Sequence, residues 1–216
     1  MWIIKMLKQK YAIFLLWIKG VHLHLNGKNN NIVGSATSKY RDTVITICGN
    51  DNSIIFGDNC IMRGLRILID GDHNRIKFGN GVVVNANAVK PTVINAIGGR
   101  SIEIGEGSLL SNNIEIHTSD YHGIYDAKGY RINPDRDIQI GRFVWIGLGT
   151  KILKGTVIAD GSVVGAGSIL AGVYNKENVV VCGNPAKVIK ENVFWKSARK
   201  DYYRVPLILK KKWTKS

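Results

Sequence analysis

The chain has 216 residues, 45% of them apolar, with 24 glycines, a composition that excludes a disordered chain and describes one folded, turn-rich domain. The formal charge of +14 is concentrated at the ends: residues 1–20 carry four lysines and no acid, and residues 187–216 carry ten Lys or Arg against Glu191 and Asp201. No nucleic-acid motif accompanies that charge, so anionic lipid or a polyanionic substrate is the expected partner, and three scattered cysteines without a CxxC pair argue against a disulfide framework or a zinc site and for a reducing cytoplasm.

The first segment, MWIIKMLKQKYAIFLLWIKG, mixes lysines with an apolar run from Tyr11 to Ile18. That run cannot cross a bilayer, which needs about 20 apolar residues in a helix, and no small-x-small cleavage site follows it. Two readings stay open. The segment covers the open end of the core, or it lies as an interfacial helix in peripheral contact with the inner face of the membrane.

From residue 25 a long period sets in. LNGKNNNI, ICGNDNSI and IDGDHNRI recur at a spacing of 22, aligning Leu25, Ile47 and Ile69, then Gly27, Gly49 and Gly71, then Asn30, Asn52 and Asn74, then Ile32, Ile54 and Ile76. Such a register across several positions points to stacked coils, with the additional residues expected at the corners, where Gly and Asn accept positive φ. From Ile104 through Leu110 to Ile116 the spacing shortens to six.

The stretch HTSDYHGIYDAKGYRINPDRD, about 117–137, is polar and lacks aliphatics at the six-residue spacing until Ile138. Ile116 and Ile140 are separated by a whole number of six-residue blocks, so this stretch reads as a loop thrown out of the repeat without disturbing its phase. Long loops inside compact folds are usually functional.

From Ile140 the chain divides without a gap into IGRFVW, IGLGTK, ILKGTV, IADGSV, VGAGSI and LAGVYN. The first position is Ile140, Ile146, Ile152, Ile158, Val164 and Leu170; the second is small except at Leu153. Neither helix nor simple strand alternation produces this period. Each block is expected to be a short strand and a turn, three blocks to a triangular coil, with Gly141, Gly147 and Gly165 at the turns.

The hexads with VWIG at Val144–Gly147, the SDYHGIYD loop at Ser119–Asp126 and GNPAKVIK at Gly183–Lys190 resemble the left-handed β-helix acyltransferases, which include maltose, galactoside and nodulation-factor acetyltransferases. The asparagine-rich units and the DYHGIYD wording look most similar to capsular polysaccharide O-acetyltransferases, including those acting on sialic-acid polymers. The resemblance implies an all-β, left-handed parallel β-helix, a homotrimer, acetyl-CoA as acyl donor without a metal, and an anionic polysaccharide as acceptor. N-acylation of an amino sugar and a non-catalytic β-helix scaffold are the alternative readings.

Acetyl transfer to a hydroxyl needs a base for the hydroxyl proton, and histidine is suited to it. Of the five histidines, His22 and His24 lie at the start and His73 in a polar corner. His122, in the protruding loop, matches the family's catalytic histidine best; His117, directly after core residue Ile116, is the other candidate. Asp120 has two readings, a solvated loop aspartate first and a carboxylate that orients the imidazole second. By resemblance, Trp145 lines the active site, with a contact between subunits as its other reading. Gly147, Gly165, Ala166 and Ala171 match the narrow donor groove. Lys187 and Lys190 match phosphate-contacting positions, and Arg142 and Lys151 are further candidates.

The chain therefore divides into an apolar, basic segment 1–20, a β-helix domain 21–186 and a basic tail 187–216. A short helix is expected in the tail through KENVFWKSARKDYY, with its aromatics laid across the final coil.

Overall fold

An aliphatic side chain returning at a fixed short interval can reach a common axis only if the chain turns after each strand, and the fold follows from that requirement. The computed structural model describes residues 20–196. The first coil is β1 (Val21–Asn26), β2 (Asn31–Val33) and β3 (Lys39–Arg41); the second is β4 (Thr43–Cys48), β5 (Ser53–Phe56) and β6 (Ile61–Arg63). The third is β7 (Leu65–Asp70), β8 (Arg75–Phe78) and β9 (Val83–Asn85); the fourth is β10 (Thr92–Ile97), β11 (Ser101–Ile104) and β12 (Leu109–Leu110). The fifth coil is β13 (Glu115–His117), β14 (Ile138–Ile140) and β15 (Trp145–Ile146), and the sixth is β16 (Lys151–Ile152), β17 (Val157–Ile158) and β18 (Val163–Val164). The last is β19 (Ile169–Leu170), β20 (Val173–Tyr174) and β21 (Val180–Gly183), on which β22 (Ala186–Lys190) folds back antiparallel.

Every third strand pairs in parallel, giving two 7-stranded sheets and one 8-stranded sheet, the three sides of a left-handed β-helix. The core is a set of ladders. Ile45, Ile67, Ile94, Ile116, Ile152 and Leu170 stack along the first side in direct register and are buried. Tyr40, Met62, Val84, Leu110, Ile146, Val164 and Val181 do the same along the third. Phe56 and Phe78 stack at 4.9 Å between ring centroids on the second side.

The 22-residue coils differ from the expectation in where their extra residues go. Much of the added length lies in the first-side strands, which run six residues in Thr43–Cys48 but two in Lys151–Ile152. The asparagines are buried and form their own ladder. Asn30 Oδ1 accepts from the Asn52 backbone N–H at 3.0 Å, and Asn52 Oδ1 accepts from that of Asn74 at 2.8 Å.

The glycines of the hexads split into two classes. Position four carries the left-handed backbone, at Gly149, Gly155, Gly161 and Gly167 with φ of 71°, 76°, 68° and 70°, and Phe143 adopts it without being glycine, at 53°. The small residue at position two, expected at the turn itself, is small for a different reason: a Cβ on Gly147 would lie 2.6 Å from the Ala166 nitrogen of the next coil. Position five holds a buried hydroxyl at Thr150, Thr156, Ser162 and Ser168. Thr150 Oγ1 donates to Gly147 O at 2.8 Å and Ser168 Oγ to Gly165 O at 2.7 Å, tying down corner carbonyls.

The tail departs from its expected form. Ala186–Lys190 is a strand, and residues 191–196 are irregular, so no helix occupies this part of KENVFWKSARKDYY; the remainder, with the Lys210–Lys212 run, lies outside the described residues. Residues 1–19 also lie outside them, and with these residues both readings of the N-terminal segment. No helix among the described residues is long and apolar enough to cross a membrane.

Candidate active site

Alternation along β13 sends Ile116 into the core and leaves Glu115 and His117 on the outer face. There His117 is engaged at both ring nitrogens. Nδ1 lies 3.2 Å from Asn95 Nδ2 and 3.3 Å from the Tyr121 hydroxyl, and Nε2 lies 3.5 Å from Glu115 Oε2. Lys151, one coil on, reaches the same Glu115 oxygen at 3.1 Å. Partial burial acts against ionisation of Glu115, but the hydrogen bond and charge of Lys151, together with His117, hold its carboxyl below the ordinary range.

The chain then leaves the first side at Thr118 and returns at Ile138. Thr118 is buried and closes the departure, its Oγ1 donating to Ile97 O at 3.1 Å and accepting from Ile97 N–H at 2.9 Å. Beyond it Tyr121 takes a φ of 64°, an uncommon conformation for an aromatic residue, while its hydroxyl accepts from Asn95 Nδ2 at 2.6 Å. The outer part closes as a small hairpin, with an antiparallel bridge between Tyr125 and Arg131.

His122 follows Tyr121 directly. It is exposed, and its ring forms no hydrogen bond or ion pair among the described residues. Its backbone, by contrast, is held: its N–H donates to Asp120 O at 2.8 Å and its carbonyl accepts from Asn133 Nδ2 at 2.9 Å. Asp120 neither orients the ring nor stands merely solvated. Its carboxylate is taken by Lys154 Nζ at 2.5 Å and Asn133 Nδ2 at 2.8 Å. The Lys154 hydrogen bond, with support from Asn133 and the charges of Lys154 and Arg131, holds its carboxyl below the usual range against the opposing effect of burial.

Trp145 sits on the third side, in register with Leu109 and Val163, and is 39% exposed. Its indole reaches Ser111 Oγ at 3.5 Å and faces Trp195 at 6.1 Å between centroids. Trp195 in turn donates from Nε1 to Phe143 O at 2.6 Å. The loop bearing His122 leaves from the corner between the first and second sides, opposite this face, so one chain does not bring His122 and Trp145 together.

Of the donor-groove candidates, Gly147, Gly165 and Ala166 share the corner between the third and first sides, where Gly147 stacks on Ala166 and Gly165 on Cys182. Ala171 occupies the corner between first and second sides and Arg142 the one between second and third. Arg142 is paired with Asp160 at 2.8 Å, and that hydrogen bond and charge raise its already high pKa. Lys151 belongs to the Glu115–His117 group. Lys187 and Lys190 are exposed on β22.

Sequence reasoning missed four participants. Glu115 was legible in principle, being two residues from His117 on a strand. Asn95, Asn133 and Lys154 were not, because their places depend on stacking and on how the loop returns. Among the described residues no group of three or more His, Cys, Asp or Glu is gathered as a metal would require.

No family model matches the chain. It is 35% identical over 203 residues to a polysialic acid O-acetyltransferase of Neisseria meningitidis, covering 85% of this chain and 93% of that protein. The crystal structure of the polySia-specific acetyltransferase NeuO superposes with a TM-score of 0.66 at 26% identity, covering 85% of each chain. That of the polysialic acid O-acetyltransferase OatWY gives 0.60 at 28%, covering 87% of this chain and 99% of the other. With the coils, the protruding loop and these relatives together, the chain belongs to the hexapeptide-repeat, left-handed β-helix acyltransferases, as an O-acetyltransferase of the group that includes the polysialic acid enzymes.

Proposed function

We propose that this enzyme moves an acetyl group from acetyl-CoA to a hydroxyl of a capsular polysialic acid, with His122 as general base. The observation that carries the choice of base is the contrast between the two imidazoles. Both nitrogens of His117 face protein groups, whereas the His122 ring is uncommitted on a loop whose backbone is fixed. In the reaction the acceptor oxygen forms a bond to the thioester carbonyl carbon as His122 takes its proton. The carbon–sulfur bond breaks, and the imidazolium returns the proton to the departing thiolate. No covalent enzyme intermediate is required.

Three relatives named for polysialic acid support that acceptor, and a polyanion suits a chain of net charge +14. We assign the pantetheine arm to the corner of Gly147, Gly165 and Ala166, where side chains are small, and the phosphates to exposed Lys187 and Lys190. We assign the assembly as a homotrimer, in which the loop of one subunit meets Trp145 of the next. Exposed Tyr121, Ile124, Tyr125, Tyr130 and Ile132 on the loop form an apolar surface suited to that contact. Free Cys48, Cys60 and Cys182 suit a cytoplasmic setting, with the basic ends directed at the inner membrane face.

The test is thiol release from acetyl-CoA with polysialic acid and with neutral glycans. Turnover is expected with polysialic acid alone, and His122→Ala is expected to lower kcat by about 100-fold or more with acetyl-CoA binding retained. Full activity in that variant ends the base assignment.

A further inference from the structure

The loop is anchored asymmetrically. Its outgoing limb carries Asp120, its returning limb carries Asn133, and one lysine of the scaffold, Lys154 at the corner between β16 and β17, holds both. Lys154 Nζ meets Asp120 Oδ2 at 2.5 Å and Asn133 O at 2.8 Å, with its side chain only 15% exposed. Asn133 completes the circuit. Its Nδ2 donates to Asp120 Oδ2 at 2.8 Å and to His122 O at 2.9 Å, and its Oδ1 accepts from the Ile124 N–H at 2.6 Å.

We propose that Lys154, Asp120 and Asn133 form a positioning clasp that sets where the His122 imidazole stands relative to the acceptor hydroxyl. None of the three touches the ring, so none is catalytic. Asn133 bonds the backbone on both sides of Gly123, at His122 O and Ile124 N, and so fixes the direction in which the His122 Cα–Cβ bond points. Lys154 ties that unit to a coil whose own position is set by the core. The lysine is chosen by charge as well as reach: it neutralises Asp120, whose carboxyl is held ionised by that contact, and the ionised form accepts from Asn133. Tyr121, in its left-handed conformation with its hydroxyl on Asn95, fixes the other flank of His122. Strained backbone held by surrounding bonds commonly marks a place where geometry serves function.

This inference rests on His122 being the base, and the experiment separates the two. Asn133→Ala, Lys154→Ala, Lys154→Arg, His122→Ala and the double variant His122→Ala/Asn133→Ala are assayed in the full-length enzyme for kcat, KM for polysialic acid, acetyl-CoA affinity and melting temperature. Displacing a reacting group by about 1 Å costs about 100-fold. Asn133→Ala and Lys154→Ala are therefore expected to lose between tenfold and 100-fold in kcat, with acetyl-CoA affinity and melting temperature close to wild type, and Lys154→Arg to recover most of the loss. The double variant is expected to be no slower than His122→Ala alone, because a misplaced base and a missing base fail in the same way.

Wild-type kcat in Asn133→Ala and Lys154→Ala, with His122→Ala inactive, overturns the clasp and leaves the base. Losses that multiply in the double variant, or that track acetyl-CoA affinity or melting temperature, also overturn it. Where His122→Ala is below detection, the arginine comparison decides: a Lys154→Arg enzyme as slow as Lys154→Ala overturns the clasp. Full activity in His122→Ala removes the base assignment itself.

Discussion

Gly147 stands against the backbone of Ala166 in the following coil, so close that a β-carbon on Gly147 would lie 2.6 Å from the Ala166 nitrogen and 2.7 Å from Val164 O. Gly149, two residues later, has open space around it, the nearest atom being Asn113 Nδ2 at 3.8 Å, but a φ of 71°. The two glycines are therefore needed for different reasons. Gly147→Ala is expected to force the coils apart, costing about 1–3 kcal/mol and weakening acetyl-CoA binding at the same corner. Gly149→Ala should cost about 1–2 kcal/mol from backbone strain alone and leave donor affinity near wild type. Denaturant melts and isothermal titration with coenzyme A distinguish them.

Asn52 is buried and bonded to both neighbouring coils, its backbone N–H and Nδ2 donating to Asn30 Oδ1 at 3.0 and 3.1 Å, its Nδ2 also to Gly71 O at 2.9 Å, while its Oδ1 accepts from Asn74 N–H. Asn52→Ala strands the buried Asn74 amide, and such a buried orphan costs about 1–3 kcal/mol, whereas exposed Gly71 can turn its carbonyl to water. A loss of several degrees in melting temperature is expected, with kcat unchanged in the folded protein because Asn52 lies in the second coil and the loop leaves the fifth. A melting temperature within one degree of wild type would contradict the ladder's structural importance.

If the site lies between subunits, two inactive variants should rescue one another. His122→Ala and Trp145→Ala, each weak alone, are mixed after reversible dissociation or produced together with different tags. Random mixing restores both residues at about a quarter of the interfaces of a cyclic trimer, so activity should return to roughly that fraction of wild type. No recovery in verified mixed oligomers places both residues in one subunit's site or separates their roles.

Glu115 links electrostatics to stability. Its carboxyl is held below the ordinary range in the folded chain, so in acid the unfolded chain binds the proton first and the folded state loses its advantage. The stabilisation is present above the ordinary carboxylate range and disappears as the pH falls through the lowered folded value. Because the pair with Lys151 is half exposed, the effect is small. Wild type is expected to melt about 2 °C above Glu115→Gln at neutral pH, with the gap closing in acid. A gap that widens in acid would reverse the assignment.

The six-residue phase was readable from the sequence because no helix or flat sheet repeats at that interval, and because Ile116 and Ile140 keep step across the loop. The 22-residue register was readable for the same reason, down to the asparagines whose amides pair between coils. Which glycine serves the turn and which serves the contact was not, since both appear only as small residues in the pattern. Nor could the sequence show that Asp120 belongs to Lys154 and not to a histidine: their proximity depends on an excursion whose path is set by hairpin closure at Tyr125 and Arg131. Trp195 lay in a segment whose composition suits a helix, yet its indole N–H finds the Phe143 carbonyl, and irregular chain satisfies that bond.

The antiparallel return of β22 on β21 has a consequence for the molecule as a whole. A parallel stack has no intrinsic length limit, since each finished rung offers the next one a complete row of amides and carbonyls. Reversing β22, the last strand among the described residues, presents any incoming rung on the third side with a neighbour running the other way. The first and second sheets end, among the described residues, on the parallel strands β19 and β20, so in-register continuation of the rod is opposed along one edge of the triangle.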